Sequence, residues 1–143
     1  MTLEVIDKKS LKVVLIDDDD ISSFIYRKII EKSGVRSDHV KTFLKGEDGL
    51  AYLSNTISNI DEFPDLILLD INMPVMDGWG FLEAYGEKIW PHLEKRVVLC
   101  MLSSSVYQED IKKAYSYTHV NDYVSKPLTT NTLENLLAKH FGD

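Results

Sequence analysis

Four consecutive aspartates occupy positions 17–20, directly after an apolar run at 11–16, and a further aspartate, Asp70, closes a second apolar run at 66–69. Carboxylates at the ends of buried segments are costly unless something positive neutralises them. If those two segments are neighbours, Asp17, Asp18 and Asp70 converge on one pocket. A hard divalent cation such as Mg²⁺, which takes oxygen ligands, is the natural counter-charge. Two adjacent acids cannot both cap the helix that follows, so Asp17 and Asp18 are the candidate metal ligands, whereas Asp19 and Asp20 suit a helix N-terminus. Two further segment ends carry complementary chemistry: Ser103, Ser104 and Ser105 follow the run at 97–102, and Lys126 and Pro127 follow the short run at 123–124. A hydroxyl and an ammonium placed there can each bond an oxygen of a phosphoryl group held at Asp70.

The elements that must bring these residues together are legible as five apolar runs, at 11–16, 39–43, 66–69, 97–102 and 123–124, alternating with longer segments of helical periodicity. Ile21, Phe24, Ile25, Ile29 and Ile30 are read as one apolar helix face closed by Gly34. Leu50 and Leu53, then Phe81, Leu82 and Tyr85, then Ile111, Ala114 and Tyr115, and finally Leu133, Leu136, Leu137 and Phe141 mark four more helices. This alternation predicts an α/β fold: a doubly wound five-stranded parallel sheet of the (βα)5 kind. In such a sheet, ligands bind beyond the carboxyl ends of the strands, where all the residues above are found.

The 143-residue length and 44% hydrophobic content fit one globular domain at 11–143, preceded by an extension at 1–10. No stretch approaches the roughly 20 apolar residues of a membrane span, and positions 1–10 lack the apolar core of a secretory signal, so a cytoplasmic protein is expected. Cys100, the single cysteine, lies within an apolar run and reads as a buried, inert thiol. A formal charge of −7, with no basic cluster anywhere in the sequence, argues against nucleic acid as a partner. His39, His92, His119 and His140 are read as surface or packing residues, and Trp79 and Trp90 as packing or loop residues.

The stretches VVLIDDDD, PDLILLDINMPVMDGWGF, VVLCMLSSS and DYVSKPLT resemble the receiver domain of two-component response regulators, particularly its stand-alone chemotaxis-regulator form. The resemblance runs from about position 11 to 141 and implies a flavodoxin-like sheet with strand order 2-1-3-4-5. It implies that Asp70 is the phospho-acceptor, that Asp17 and Asp18 hold Mg²⁺, and that the backbone carbonyl of Asn72 completes the protein ligands. By the same carry-over Ser103 is the switch hydroxyl, Tyr123 the switch aromatic, Lys126 the phosphoryl-contacting lysine, and the Lys126–Pro127 bond is cis. Ser105 would pair with Asn72 in tuning dephosphorylation.

The expected function is phosphoryl acceptance on Asp70 from a histidine kinase or histidine phosphotransfer protein, with Mg²⁺ as cofactor and no output enzyme domain. Ser103 would move toward the phosphoryl oxygens and Tyr123 would fill the vacated space. The output would be contact with another protein through the face that includes 111–117 and 128–137. A phosphatase of the haloacid-dehalogenase type also uses an aspartyl nucleophile, but it carries a second aspartate two residues later, where this chain has Asn72. The alternative is a docking module that keeps the fold without the phosphorylation.

Overall fold

The computed structural model describes residues 7–73, 75–104 and 107–142. Its elements run β1 (Val13–Ile16), α1 (Asp20–Lys32), β2 (Val40–Phe43), α2 (Gly46–Thr56), β3 (Leu66–Asp70), α3 (Gly78–Lys88), β4 (Val98–Ser103), α4 (Gln108–Tyr115), β5 (Asp122–Ser125) and α5 (Thr130–Phe141). The strands form one parallel sheet in the order β2-β1-β3-β4-β5, as the sequence predicts. Of the expected extension at 1–10, positions 1–6 lie outside the described residues, and Asp7 to Ser10 form a turn closed by Ser10 N–H on Asp7 O.

The central strands are buried at every position, and apolar up to Asp70 and Ser103 at their carboxyl ends, because both faces of the sheet are covered. Alternation along β1, β3 and β4 sends Val13, Leu15, Leu66, Leu68, Val98, Cys100 and Leu102 to the side of α1 and α5. It sends Val14, Ile16, Ile67, Leu69, Leu99 and Met101 to the side of α2, α3 and α4. Burial pushes the Cys100 thiol well above its ordinary value, in keeping with an inert core residue.

α1 departs from expectation. Its buried residues are Ser23, Tyr26 and Ile30, whereas Ile21, Phe24 and Ile25 are 71%, 62% and 48% exposed. At about 100° per residue, Ile30 lies half a turn around the helix from Ile21, so the five apolar residues form two stripes rather than one face. The inner stripe is completed by Tyr26 and by Ser23, whose hydroxyl donates to Asp17 O. Gly34, with φ of 115°, then turns the chain away from the helix end. In α4, similarly, Ala114 is buried but Tyr115 is about half exposed and sends its hydroxyl toward Asp122.

Two histidines do more than fill space. His140 Nε2 lies 2.8 Å from Asp122 Oδ2, which Lys139 also reaches at 3.0 Å. Burial by itself would raise the Asp122 carboxyl, but these partners and the Tyr123 amide outweigh it and hold the group below its usual range. His119 contacts Leu82 O at 2.9 Å through Nε2 and is ringed by Tyr85, Trp90 and Tyr117. Trp79 stacks on Tyr117 beneath the Lys113 ammonium.

Burial lowers the pKa of His119. The folded state therefore holds that proton less readily than the unfolded chain, so the associated stability is present above about pH 6.5 and is lost as the pH falls through the lower folded value. Urea midpoints at pH 7.5 and 5.5 are expected to fall further apart for the parent than for His119→Gln. Equal pH dependence in the two proteins would contradict this.

Candidate functional site

Parallel strands that end at one edge of the sheet place their last residues side by side. Ile16 is paired with Leu69, so Asp17 and Asp70 follow at neighbouring positions, and Asp70 is paired with Leu102, one residue before Ser103. Ser103 is in turn paired with Ser125, whose neighbour Lys126 donates its amide to Ser103 O at 2.8 Å. The sheet thereby gathers Asp17, Asp70, Ser103 and Lys126 from four strand ends.

Lys126 is the hub. Its Nζ lies 3.0 Å from Asp17 Oδ2 and 3.2 Å from Asp70 Oδ1. Burial alone would lower this lysine's pKa, but the two carboxylates overrule it and the ammonium is held above its ordinary value. Asp17 is fully buried and Asp70 is 3% exposed. Burial, then the charge of Asp17, raises Asp70 to about 6 against the opposing pull of Lys126. The Asn72 amide donates to Asp70 Oδ1 at 3.3 Å, and the Asp19 amide donates to Asp17 Oδ1 at 2.9 Å.

Asp18 is exposed, and one carboxylate oxygen from each of Asp17, Asp18 and Asp70 lies within 4.8 Å of the others. Asp17 Oδ2 is buried and, despite its charge contact with Lys126, has no hydrogen bond directed at it. Three hard oxygen donors, one with an unsatisfied lone pair, suit a divalent cation of the Mg²⁺ type. Asp19 caps α1 by accepting from the Ile21 amide at 3.0 Å, and Asp20 sits in the first turn, the roles read for them from the sequence.

Ser103 is fully buried at the end of β4, and Tyr123 is half-buried in β5, packed against the core on the α2–α4 side. The Lys126–Pro127 peptide bond is cis. Ser105 lies outside the described residues.

The loop after Asp70 is shaped by two residues the sequence reading did not weigh. A Cβ on Gly78 would come within 2.7 Å of Ile71 Cα and 2.9 Å of Asp70 O, so only glycine permits α3 to start so close behind the acceptor position. Val75 has φ of 65° and is 97% exposed. A β-branched residue in the left-handed region is strained, and nothing is buried in exchange. Val75→Gly is expected to raise the unfolding free energy by about 0.5–1 kcal/mol in chemical denaturation, after allowing for the extra freedom glycine gives the unfolded chain. A loss of stability would show that the valine makes compensating contacts.

Residues 13–138 match the response regulator receiver domain family. The chain is 34% identical to a two-component response regulator from Cytophaga hutchinsonii, and superposes on its crystal structure with a TM-score of 0.81 over 94% of this chain and 99% of that one. It is 30% identical to a response regulator receiver protein from Dyadobacter fermentans DSM 18053, with a TM-score of 0.78 over 93% of this chain and 99% of the other. Hybrid signal transduction histidine kinase L of Dictyostelium discoideum is 30% identical over 129 residues, which are 90% of this chain but 7% of the kinase. The chain thus spans only a small part of that relative. With its sheet order, its acidic strand ends and these likenesses together, the chain belongs to the response regulator receiver domain family.

Proposed function

We propose that this chain accepts a phosphoryl group on Asp70 and passes the signal on by binding another protein. The observation that carries the reading is the Lys126 ammonium spanning Asp17 and Asp70 at the carboxyl end of the sheet. A carboxylate oxygen of Asp70 attacks phosphorus in line, forming an O–P bond as the bond to the donor's imidazole nitrogen, or to the acetate oxygen of acetyl phosphate, breaks. Asp17, Asp18, Asp70 and the Asn72 carbonyl would hold Mg²⁺, which when bound supplies charge neutralisation for the incoming phosphoryl oxygens. Lys126 shifts from carboxylates to a phosphoryl oxygen, and the Ser103 hydroxyl donates to another. Tyr123 then turns toward the space that Ser103 leaves.

The exposed stripe of Ile21, Phe24 and Ile25 supports a protein donor. It lies on the helix that begins three residues after Asp17, and apolar surface beside a charged pocket suits a macromolecular partner better than a small anion. The name of the Dictyostelium relative, a histidine kinase, favours a phosphohistidine donor. The output surface is the α4–β5–α5 face. The cytoplasm is the proposed place of action; among the described residues no helix is long and apolar enough to cross a membrane.

Incubation with acetyl phosphate and Mg²⁺, followed by intact mass measurement, tests this. One phosphoryl adduct is expected, absent when Mg²⁺ is chelated and absent in Asp70→Asn. An adduct that survives Asp70→Asn, or sustained turnover of a phosphomonoester, would defeat the reading.

A further inference from the structure

Two buried side-chain polar atoms lack a hydrogen-bond partner among the described residues, and they sit at opposite ends of the sheet. One is Asp17 Oδ2, in the acidic cluster. The other is Nδ1 of His39, in the turn just before β2, at the amino ends of the strands. His39 borders a cleft of about 600 Å³. That volume falls within the ~300–1,000 Å³ of small-molecule sites.

The charge of this cleft opposes that of the molecule. Lys9, Lys12, Arg36, Lys95 and Arg96 line it against two carboxylates, Asp61 and Asp65, in a chain whose formal charge is −7. These cations come from separate segments ahead of β1, β2 and β4, which is why no basic cluster stands out along the sequence.

Part of the lining is a fixed wall. Lys95 Nζ is held by Asp65 Oδ1 at 2.9 Å and by the carbonyls of Ile60 and Phe63 at 3.1 and 2.7 Å. Arg96 bonds His140 O and lies over the Phe141 ring. The rest is less compensated. Lys12 Nζ donates to the Asp61 carbonyl, a neutral partner that leaves its charge in place. Arg36 pairs with Asp38 at 3.0 Å, but with both side chains more than half exposed the pair is weak and readily exchanged.

We propose that this cleft binds a small, multiply charged, phosphate-bearing anion, of the nucleoside triphosphate or inorganic polyphosphate kind. Lys9, Lys12 and Arg36 neutralise it, with His39 bordering the same cleft. A chain of linked phosphates spreads its charge over the separated cations, whereas a single small anion meets only part of the lining. The inference does not rest on phosphoryl acceptance at Asp70, since the two sites lie at opposite ends of the sheet.

The test uses the full chain in EDTA, titrated with tripolyphosphate and with ATP, and followed by calorimetry and amide NMR. Saturable binding with Kd below about 1 mM is expected, with shifts concentrated at Lys9, Lys12, Arg36 and His39. The double variant Lys9→Gln, Arg36→Gln changes two exposed side chains. It should keep the parent spectrum elsewhere and bind about tenfold more weakly or worse, while Asp70→Asn binds as the parent does. The proposal fails if binding does not saturate, if the double variant binds as tightly as the parent, or if sulfate at matched ionic strength binds equally well. It also fails if the same amides shift with protein concentration alone, which would place the acidic end of a second copy in the cleft.

Discussion

Asp70→Asn is expected to stabilise the metal-free protein by roughly 2–3 kcal/mol at pH 8 and by almost nothing at pH 4. Burial and the neighbouring Asp17 raise Asp70 to about 6, against about 3.9 in an unfolded chain. A group whose folded pKa is raised contributes stability that is fully present below the unfolded value and is lost as the pH rises through the folded one. Above about pH 6, then, the ionised Asp70 opposes folding, and the neutral amide removes that opposition without changing the side chain's size. Urea unfolding in EDTA at the two pH values measures the difference. Adding Mg²⁺ should narrow the gap at pH 8, because the cation stabilises the parent more than the variant. Destabilisation by Asp70→Asn at pH 8 would mean that Asp70 is held there as a structural ion-pair partner of Lys126.

Lys126→Met should have the opposite effect on stability and the larger effect on chemistry. The ammonium is the counter-charge for two carboxylates that are almost wholly buried, so removing it leaves like charges facing each other. The side chain of Lys126 is 20% exposed. Solvent screens it in part, and the cost at neutral pH in EDTA is expected to be about 2–3 kcal/mol rather than the full penalty of a broken buried pair. Mg²⁺ should restore much of that stability, since it replaces one positive charge with another. It should not restore phosphoryl acceptance: the initial rate of adduct formation from acetyl phosphate is expected to fall about 100-fold or more, the scale of losing one charged donor from a transferring group. A variant that is destabilised yet accepts phosphoryl at the parent rate would confine Lys126 to a structural role.

The sheet was legible because parallel strands covered on both faces are apolar up to their carboxyl ends. Runs such as that of β4 therefore stand out from a sequence in which most helix positions are polar. The strand ends were legible for the same reason: an aspartate or lysine that interrupts such a run is conspicuous, as Asp17, Asp70 and Lys126 are. Helix orientation was less so. Ile21, Phe24 and Ile25 are as apolar as core residues, and only their angle relative to Ile30 reveals that they face solvent. Contacts between residues far apart in sequence left no local mark at all. The bond between Asp122 and His140, and the cations that meet around His39, depend on the order of strands and on how each loop turns. The close seat of Gly78 against Asp70 depends in the same way on the path of one loop.

The residue that carries the phosphoryl group can be located directly. An acyl phosphate on aspartate is reduced by borohydride to homoserine, so treating the protein with acetyl phosphate and Mg²⁺, reducing it and sequencing the peptides by mass spectrometry marks the site. Homoserine at position 70 alone, formed only when Mg²⁺ is present, is the predicted result. Homoserine at Asp17, Asp18 or another carboxylate, or no reduced residue in protein that carries the adduct mass, would contradict the assignment of Asp70 as the acceptor.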